Sequence, residues 1–90
     1  MERLELNIRG AVQGVGFRYT VRQQALKLGL FGWVKNLPDG SVAVVAEGQR
    51  ERLQKFLDWC YTGVGSSRVD GIDAVWEEAT GVYEDFNMHT

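Results

Sequence analysis

Cysteine, runs of basic residues and long apolar stretches are scarce or missing in this chain of 90 residues, and each shortage removes a class of function. Cys60 is the only cysteine, so no internal disulfide can form and no cluster of thiolates is available to a metal. A lone thiol fits a reducing compartment. Lys and Arg number ten against twelve Asp and Glu, a formal charge of −2, and no two basic residues are adjacent. Counterion release, which drives non-specific binding to nucleic acid, would therefore contribute little. From Glu2 to Arg9 charged and apolar residues alternate, without the continuous apolar stretch of a secretory leader. No segment approaches the roughly twenty apolar residues of a membrane span. Internal repeats, linkers and low-complexity tracts are absent too. The expectation is a cytoplasmic protein that contacts neither membrane nor nucleic acid.

What is present suffices for one core. Hydrophobic residues make up 44% of the chain, with three Trp, three Tyr and four Phe. A chain of this length forms one domain, spanning residues 1–90, and hides roughly 60–65% of its unfolded surface. Leu4, Leu6 and Ile8 alternate with Glu5, Asn7 and Arg9, the period of a strand with one buried face. Thr20 and Gln23 have the spacing of a capping box. Val21, Ala25 and Leu28 follow at helical spacing, and Gly29 is placed to stop the helix. Phe31 to Leu37 and Ser41 to Ala46 read as strands, and Pro38-Asp39-Gly40 between them makes a hairpin turn. Leu53, Phe56, Leu57 and Cys60 fall at i, i+3, i+4 and i+7, an amphipathic helix with Gly63 near its end. Residues 63–71 form a small-residue loop. Two further strands are expected over Ile72 to Ala79 and Val82 to Met88.

The order is β-α-β-β-α-β, with the last strand region open to division in two. Two βαβ halves around a central hairpin give an α+β, ferredoxin-like sandwich: two helices on one face of a four- to five-stranded antiparallel sheet. Right-handed crossovers leave few other windings. In this topology the first two strands run the same way. If the third lies between them they are about 9–10 Å apart, two strand spacings. The loop ending at Arg18 and the residue Asn36 then meet at one end of the sheet.

That loop, Val12-Gln13-Gly14-Val15-Gly16-Phe17 followed by Arg18, has two readings. It is a tight strand-to-helix turn that needs small residues, or a cradle of backbone N–H groups at a helix N-terminus that closes on an anion. Gly14 and Gly16 permit φ > 0 and leave the backbone bare. Arg18 offers a planar fork suited to two phosphate oxygens. No Lys-Ser/Thr follows the glycines, and Tyr19 stands where a dinucleotide fingerprint has its third glycine, so neither nucleotide motif is met. These residues alone leave both readings open.

A longer pattern narrows them. Gly10-Ala11-Val12-Gln13-Gly14-Val15-Gly16-Phe17-Arg18, then Leu28-Gly29-Leu30, Gly32-Trp33-Val34-Lys35-Asn36, Asp39-Gly40-Ser41-Val42 and Glu47-Gly48 closely resemble the acylphosphatase family. The match is dense over residues 8–48 and looser through Phe56 and Trp59. The resemblance implies a ferredoxin-like hydrolase of carboxyl-phosphate anhydrides. It places the phosphate-binding loop on Gln13, Gly14, Val15, Gly16, Phe17 and Arg18, the catalytic arginine on Arg18, and the water-orienting asparagine on Asn36. It implies no metal and no cofactor, a small acyl phosphate as substrate, and inorganic phosphate as product and competitive inhibitor of a monomer. Lys35 stands where an arginine is common. The segment 63–69 lacks the prolines often found there, and Phe86-Asn87-Met88-His89-Thr90 lacks a basic-aromatic ending.

Other candidates have plainer readings. Cys60 lies on the apolar stripe of its helix, as a core thiol does. His89 reads as a solvated tail. Asp70, Asp73, Glu77 and Glu78 form a solvated face with no metal-loop spacing. Trp33, Trp59 and Trp76 pack or cover the core. Gln13 either touches the ligand or braces its own loop. RNA-binding modules share this element order, yet they stack bases on aromatics of the central strands. Glu5, Asn7 and Arg9 of the first strand and Ser41, Ala43 and Val45 of the third provide no such platform. A silent anion-binding domain on the same fold is the remaining alternative.

Overall fold

The computed structural model describes residues 1–63 and 65–90. Its elements are β1 (Glu2–Ala11), α1 (Phe17–Lys27), β2 (Phe31–Asn36), β3 (Val42–Gly48), α2 (Arg50–Thr62), β4 (Arg68–Glu78) and β5 (Phe86–His89). The strands form one sheet in the order β4-β1-β3-β2-β5. β1 and β2 both pair antiparallel with β3 and so run parallel to each other, as the topology requires. β5 adds to β2 in parallel, so the sheet is mixed and not the antiparallel one expected: β4 ends beside the start of β1, and β5 enters beside the start of β2 at that same end of the sheet.

One face of this sheet carries the core. Leu4, Leu6 and Ile8 from β1, Val42, Val44 and Ala46 from β3, and Val34 from β2 are buried there. Val21 and Ala25 of α1 meet them, as do Leu53, Phe56, Leu57 and Cys60 of α2. The alternation in β1 and the i, i+3, i+4, i+7 set in α2 thus fall on the buried sides that their periods assign. Burial pushes the Cys60 thiol well above its ordinary value, which keeps it protonated and unreactive.

Three local features differ from the sequence pattern. α1 begins at Phe17, before the Thr20–Gln23 pair, because Gly16 takes the left-handed conformation and serves as N-cap without a side-chain bond. Thr20 lies in the first turn, and its hydroxyl donates to the Gly16 carbonyl. The small-residue loop over 63–71 is cut short by β4, which starts at Arg68; Val64 lies outside the described residues. The strand expected over Val82 to Met88 is confined to Phe86–His89. Crossing from one sheet edge to the other spans four strand spacings, about 19 Å. Residues 79–85 make that crossing over the outer face.

A buried carboxylate holds the crossing down. Glu47 points to the outer face of β3, yet is only 1% exposed. It accepts hydrogen bonds from the Thr80 N–H at 2.8 Å, the Thr80 hydroxyl at 2.9 Å and the Gly81 N–H at 3.0 Å. Farther along, the Trp33 indole donates to the Tyr83 hydroxyl at 3.3 Å. Burial works to raise the Glu47 carboxyl, but the bonds from Thr80 and Gly81, with Arg3 nearby, hold it below the ordinary glutamate value. A depressed folded value stabilises the protein above the unfolded glutamate range, and that stability is lost as pH falls through the folded value. Glu47→Ala leaves three donors unpaired and should cost roughly 1–3 kcal/mol. Thermal melts from neutral to acidic pH should show the gap between wild type and variant narrowing as the solution becomes acidic. A gap independent of pH would show that the carboxylate charge is not what holds the crossing.

Candidate active site

The loop between β1 and α1 is anchored at both ends by core residues, since Val12 and Phe17 are each 1% exposed. Between them Gly14 has φ 75° and Gly16 φ 76°, a conformation that costs other residues roughly 1–2 kcal/mol each. No atom lies within 4 Å of a Cβ built at either glycine. Backbone conformation, not crowding, demands glycine there, and the space beside the loop is open.

α1 starts with neither a side-chain cap nor an acidic residue in its first turn. The amides of residues 14 to 19 find no acceptor among the described residues. The partial positive charge of the helix end and these free donors therefore act together. A helix end of this kind is a ready anion site.

Gln13 ties the loop to the hairpin opposite. Its side-chain Nε2 donates to the Leu37 and Ser41 carbonyls, both at 2.8 Å. The hairpin is itself braced. The Asn7 amide donates to the Ser41 hydroxyl at 2.9 Å, and that hydroxyl donates to the Asp39 carboxylate at 2.6 Å. The Ser41 N–H donates to the same carboxylate oxygen at 2.9 Å. The hydroxyl bond first, then the N–H bond, hold the Asp39 carboxyl below its ordinary value. The Gln13 side chain thus serves the bracing role, and its neighbours form the open part of the loop.

Asn36 closes the opposite side. It ends β2 on the face shared with Val34 and Val42, hence on the side of the helices. Its Oδ1 is buried without a hydrogen-bond partner. The only other such side-chain atom among the described residues is Arg3 Nε, which belongs to the outer face. Asn36 and Arg18 line a single cleft of about 250 Å³. Gly14 and Gly16 form its loop side, Val12 and Phe17 its apolar floor, and Tyr19 and Met88 its rim. The two residues eighteen apart in sequence are brought together, as the parallel course of β1 and β2 requires.

The last strand contributes what sequence reading missed. Arg18 Nη1 donates to the His89 carbonyl, and Arg22 Nε donates to the Phe86 carbonyl at 2.8 Å. His89 is the final residue of β5, not a loose tail, and its ring stacks on Trp33 with centroids 5.5 Å apart. One guanidinium donor of Arg18 is thereby fixed while the others remain for a ligand. No periodicity reports on a carbonyl acceptor, so the sequence holds no signal for this anchor. Among the described residues no three His, Cys, Asp or Glu side chains group to hold a metal ion, and no helix is long and apolar enough to cross a membrane.

Comparison with known proteins bears on the whole chain. The family model for acylphosphatase matches residues 4–88. An acylphosphatase of Roseiflexus sp. strain RS-1 is 44% identical over 88 residues, 98% of this chain and 95% of that protein. One from Thermococcus kodakarensis is 46% identical over 80 residues, covering 89% and 88% of the two chains. The crystal structure of acylphosphatase from Bacillus subtilis superposes with a TM-score of 0.97 at 37% identity, over 100% of each chain.

The brace predicts an order of stability. Gln13→Ala removes two donors and should cost about 1–2 kcal/mol. Gln13→Glu places an acceptor-only carboxylate against two carbonyls and should melt lower than the alanine variant at neutral pH, recovering in part when acid protonates it. Equal melting of all three proteins would show that the contact carries no load.

Proposed function

The chain belongs to the acylphosphatase family and is a hydrolase of that family; from this premise we propose how its cleft works and on what. The substrate is a small acyl phosphate, whose phosphoryl group sits on the amides of residues 14 to 18 with Arg18 as counter-charge. Water attacks phosphorus, forming the new P–O bond as the bond to the carboxylate oxygen breaks. The electron pair leaves with the carboxylate. The water's proton passes to a phosphoryl oxygen, so a dianionic acyl phosphate and water give one carboxylate and one dihydrogen phosphate. Neither Arg18 nor Asn36 is of a type that exchanges protons near neutrality, which is why the phosphoryl group is the proton acceptor in this route.

Carboxylate is a good leaving group, so positioning and charge stabilisation make up most of the task. Donors fixed by the fold stabilise developing charge without reorganising. Gln13 and the β5 carbonyls supply that fixity through the loop and Arg18. The observation that carries the proposal is the Asn36 Oδ1 acceptor, buried in the cleft and unpartnered. A water donating to it is held opposite the loop, where an in-line nucleophile has to be. Every group invoked comes from one chain, so a monomer suffices.

A nucleic-acid platform finds less support. The outward positions of β1 are Arg3, Glu5, Asn7 and Arg9, and those of β3 are Ala43, Val45 and Glu47. Trp33 on β2 is engaged by His89 and Tyr83.

The test is hydrolysis of benzoyl phosphate with inorganic phosphate as competitor. Asn36→Ala should lose roughly 10²–10³ in turnover, as expected for one preorganised group, while phosphate still binds. Arg18→Ala should lose turnover and phosphate affinity together. Full phosphate affinity in Arg18→Ala, or normal turnover in Asn36→Ala, would overturn the assigned roles.

A further inference from the structure

Six of the ten Lys and Arg side chains are engaged within the fold. Arg3, Arg9, Arg50 and Arg68 form ion pairs with Glu5, Asp73, Glu2 and Asp70. Arg18 and Arg22 donate to carbonyls of β5. Of the rest, Lys35 stands on the outer face of β2. The other three, Lys27, Arg52 and Lys55, have neither an ion pair nor a hydrogen bond among the described residues, and all three line one cleft. That cleft measures about 330 Å³. The end of α1 supplies Leu26, Lys27, Leu28 and Gly29, and the first turns of α2 supply Arg52 and Lys55. It shares no residue with the cleft of Arg18 and Asn36. The two lie at opposite ends of α1, whose 11 residues span about 16 Å.

The local fold does not account for these charges. Lys27 alone has a reason within its helix, since a cation is favoured in a last turn. Arg52 stands in the first turn of α2, at the positive end of the helix, where a cation is disfavoured. Glu51, four residues before Lys55, forms no ion pair with it, and no carboxylate lines the cleft. Nor does Arg52 cap α1. The Gln24, Ala25 and Leu26 carbonyls accept from the Leu28, Leu30 and Gly29 N–H groups, and Arg52 donates to no carbonyl among the described residues. Its guanidinium nevertheless folds back onto α1, with Nη1 2.9 Å from the place a Cβ on Gly29 would take. Three positive charges are thereby gathered from two helices, with nothing between them to offset their repulsion.

A small polyanion answers each of these features. Arginine grips two phosphate oxygens with its fork, and lysine adds a point charge. Three cations exceed the charge of about −1.5 to −2 on one phosphate group and match a chain of two or three. The volume lies at the lower end of the roughly 300–1,000 Å³ of small-molecule sites. Leu26 and Leu28 give the cleft an apolar wall beside its charges.

We propose that Lys27, Arg52 and Lys55 form a second anion site, separate from the active cleft, that takes a chain of two or three phosphates, either free or as the tail of a nucleotide. The site does not depend on the roles proposed for Arg18 and Asn36.

Amide chemical shifts of the isotope-labelled protein, titrated with inorganic phosphate, tripolyphosphate and ATP, test this. The proteins are wild type, Arg18→Ala, and the single and triple variants of Lys27→Gln, Arg52→Gln and Lys55→Gln. In wild type, inorganic phosphate should move the amides of residues 14 to 18, and tripolyphosphate should also move those of 26–29 and 52–55. Arg18→Ala should lose the first set and keep the second at unchanged affinity. The triple variant should do the reverse and split benzoyl phosphate as wild type does. Each single glutamine variant should weaken the second site about five- to tenfold, the worth of one charge-assisted contact, and added salt should weaken it further. Tighter binding of ATP than of tripolyphosphate would mark a nucleotide resting its base on Leu26 and Leu28, and equal binding a free phosphate chain. Shifts that never reach 26–29 and 52–55, or that persist in the triple variant, would overturn the site. Loss of the 14–18 response alone would strike the roles of the active cleft and leave this site standing.

Discussion

The free amides at the start of α1 are the constraint around which the rest of the molecule is arranged. A helix leaves its first N–H groups without intrahelical acceptors, and proteins usually answer them with a serine, threonine or aspartate cap. Here Gly16 stands in the cap position, Thr20 turns its hydroxyl toward the Gly16 carbonyl, and the first turn has no acid. Nothing among the described residues satisfies that end, which leaves its donors open to an anion. Glycine in place of a side-chain cap costs only about a few tenths of a kcal/mol, but the loop needs anchors outside itself to remain in place.

Those anchors come from distant parts of the chain. Gln13 reaches across to the hairpin carbonyls, and the hairpin is steadied by Asn7, Ser41 and Asp39. On the other side, β5 adds to the free edge of β2 and offers its carbonyls to Arg18 and Arg22. β5 can reach that edge only because residues 79–85 cross the outer face, where Glu47 grips Thr80 and Gly81. The buried carboxylate on one face of the sheet thus supports the guanidinium on the other.

What the sequence reveals follows from which interactions are periodic. Leu4, Leu6, Ile8 and the α2 stripe repeat at strand and helix spacing, so the βαββαβ order and its two-layer packing were legible. The neighbourhood of Arg18 and Asn36 was legible as well, because it follows from the parallel course of β1 and β2. The capping box at Thr20–Gln23 misled, since a left-handed glycine starts a helix without leaving any side-chain signature of its own. The span of β5 misled for another reason: Val82 and Tyr83 have strand-forming side chains, but their backbone is spent on crossing the sheet. The His89 and Phe86 carbonyls could not be read at all, because every residue has a carbonyl and only the pairing with β2 decides where these two point.

Arg3 Nε on the outer face and the exposed side chains apart, the unpartnered groups among the described residues fall together. Asn36 Oδ1 and the first amides of α1 lie on opposite sides of one cleft. A buried acceptor left unpaired costs about 1–3 kcal/mol, a sizeable fraction of the roughly 5–15 kcal/mol that separates folded from unfolded chains. Moving a donor beside Asn36 would recover some of that stability and would fill the place that the proposed route gives to water, whereas a serine at position 16 is opposed by the left-handed backbone there. Stability and the proposed chemistry therefore compete for the same few atoms. The fold resolves the competition by concentrating its compensating contacts elsewhere, in the braced hairpin, the β5 anchors and the clasp at Glu47.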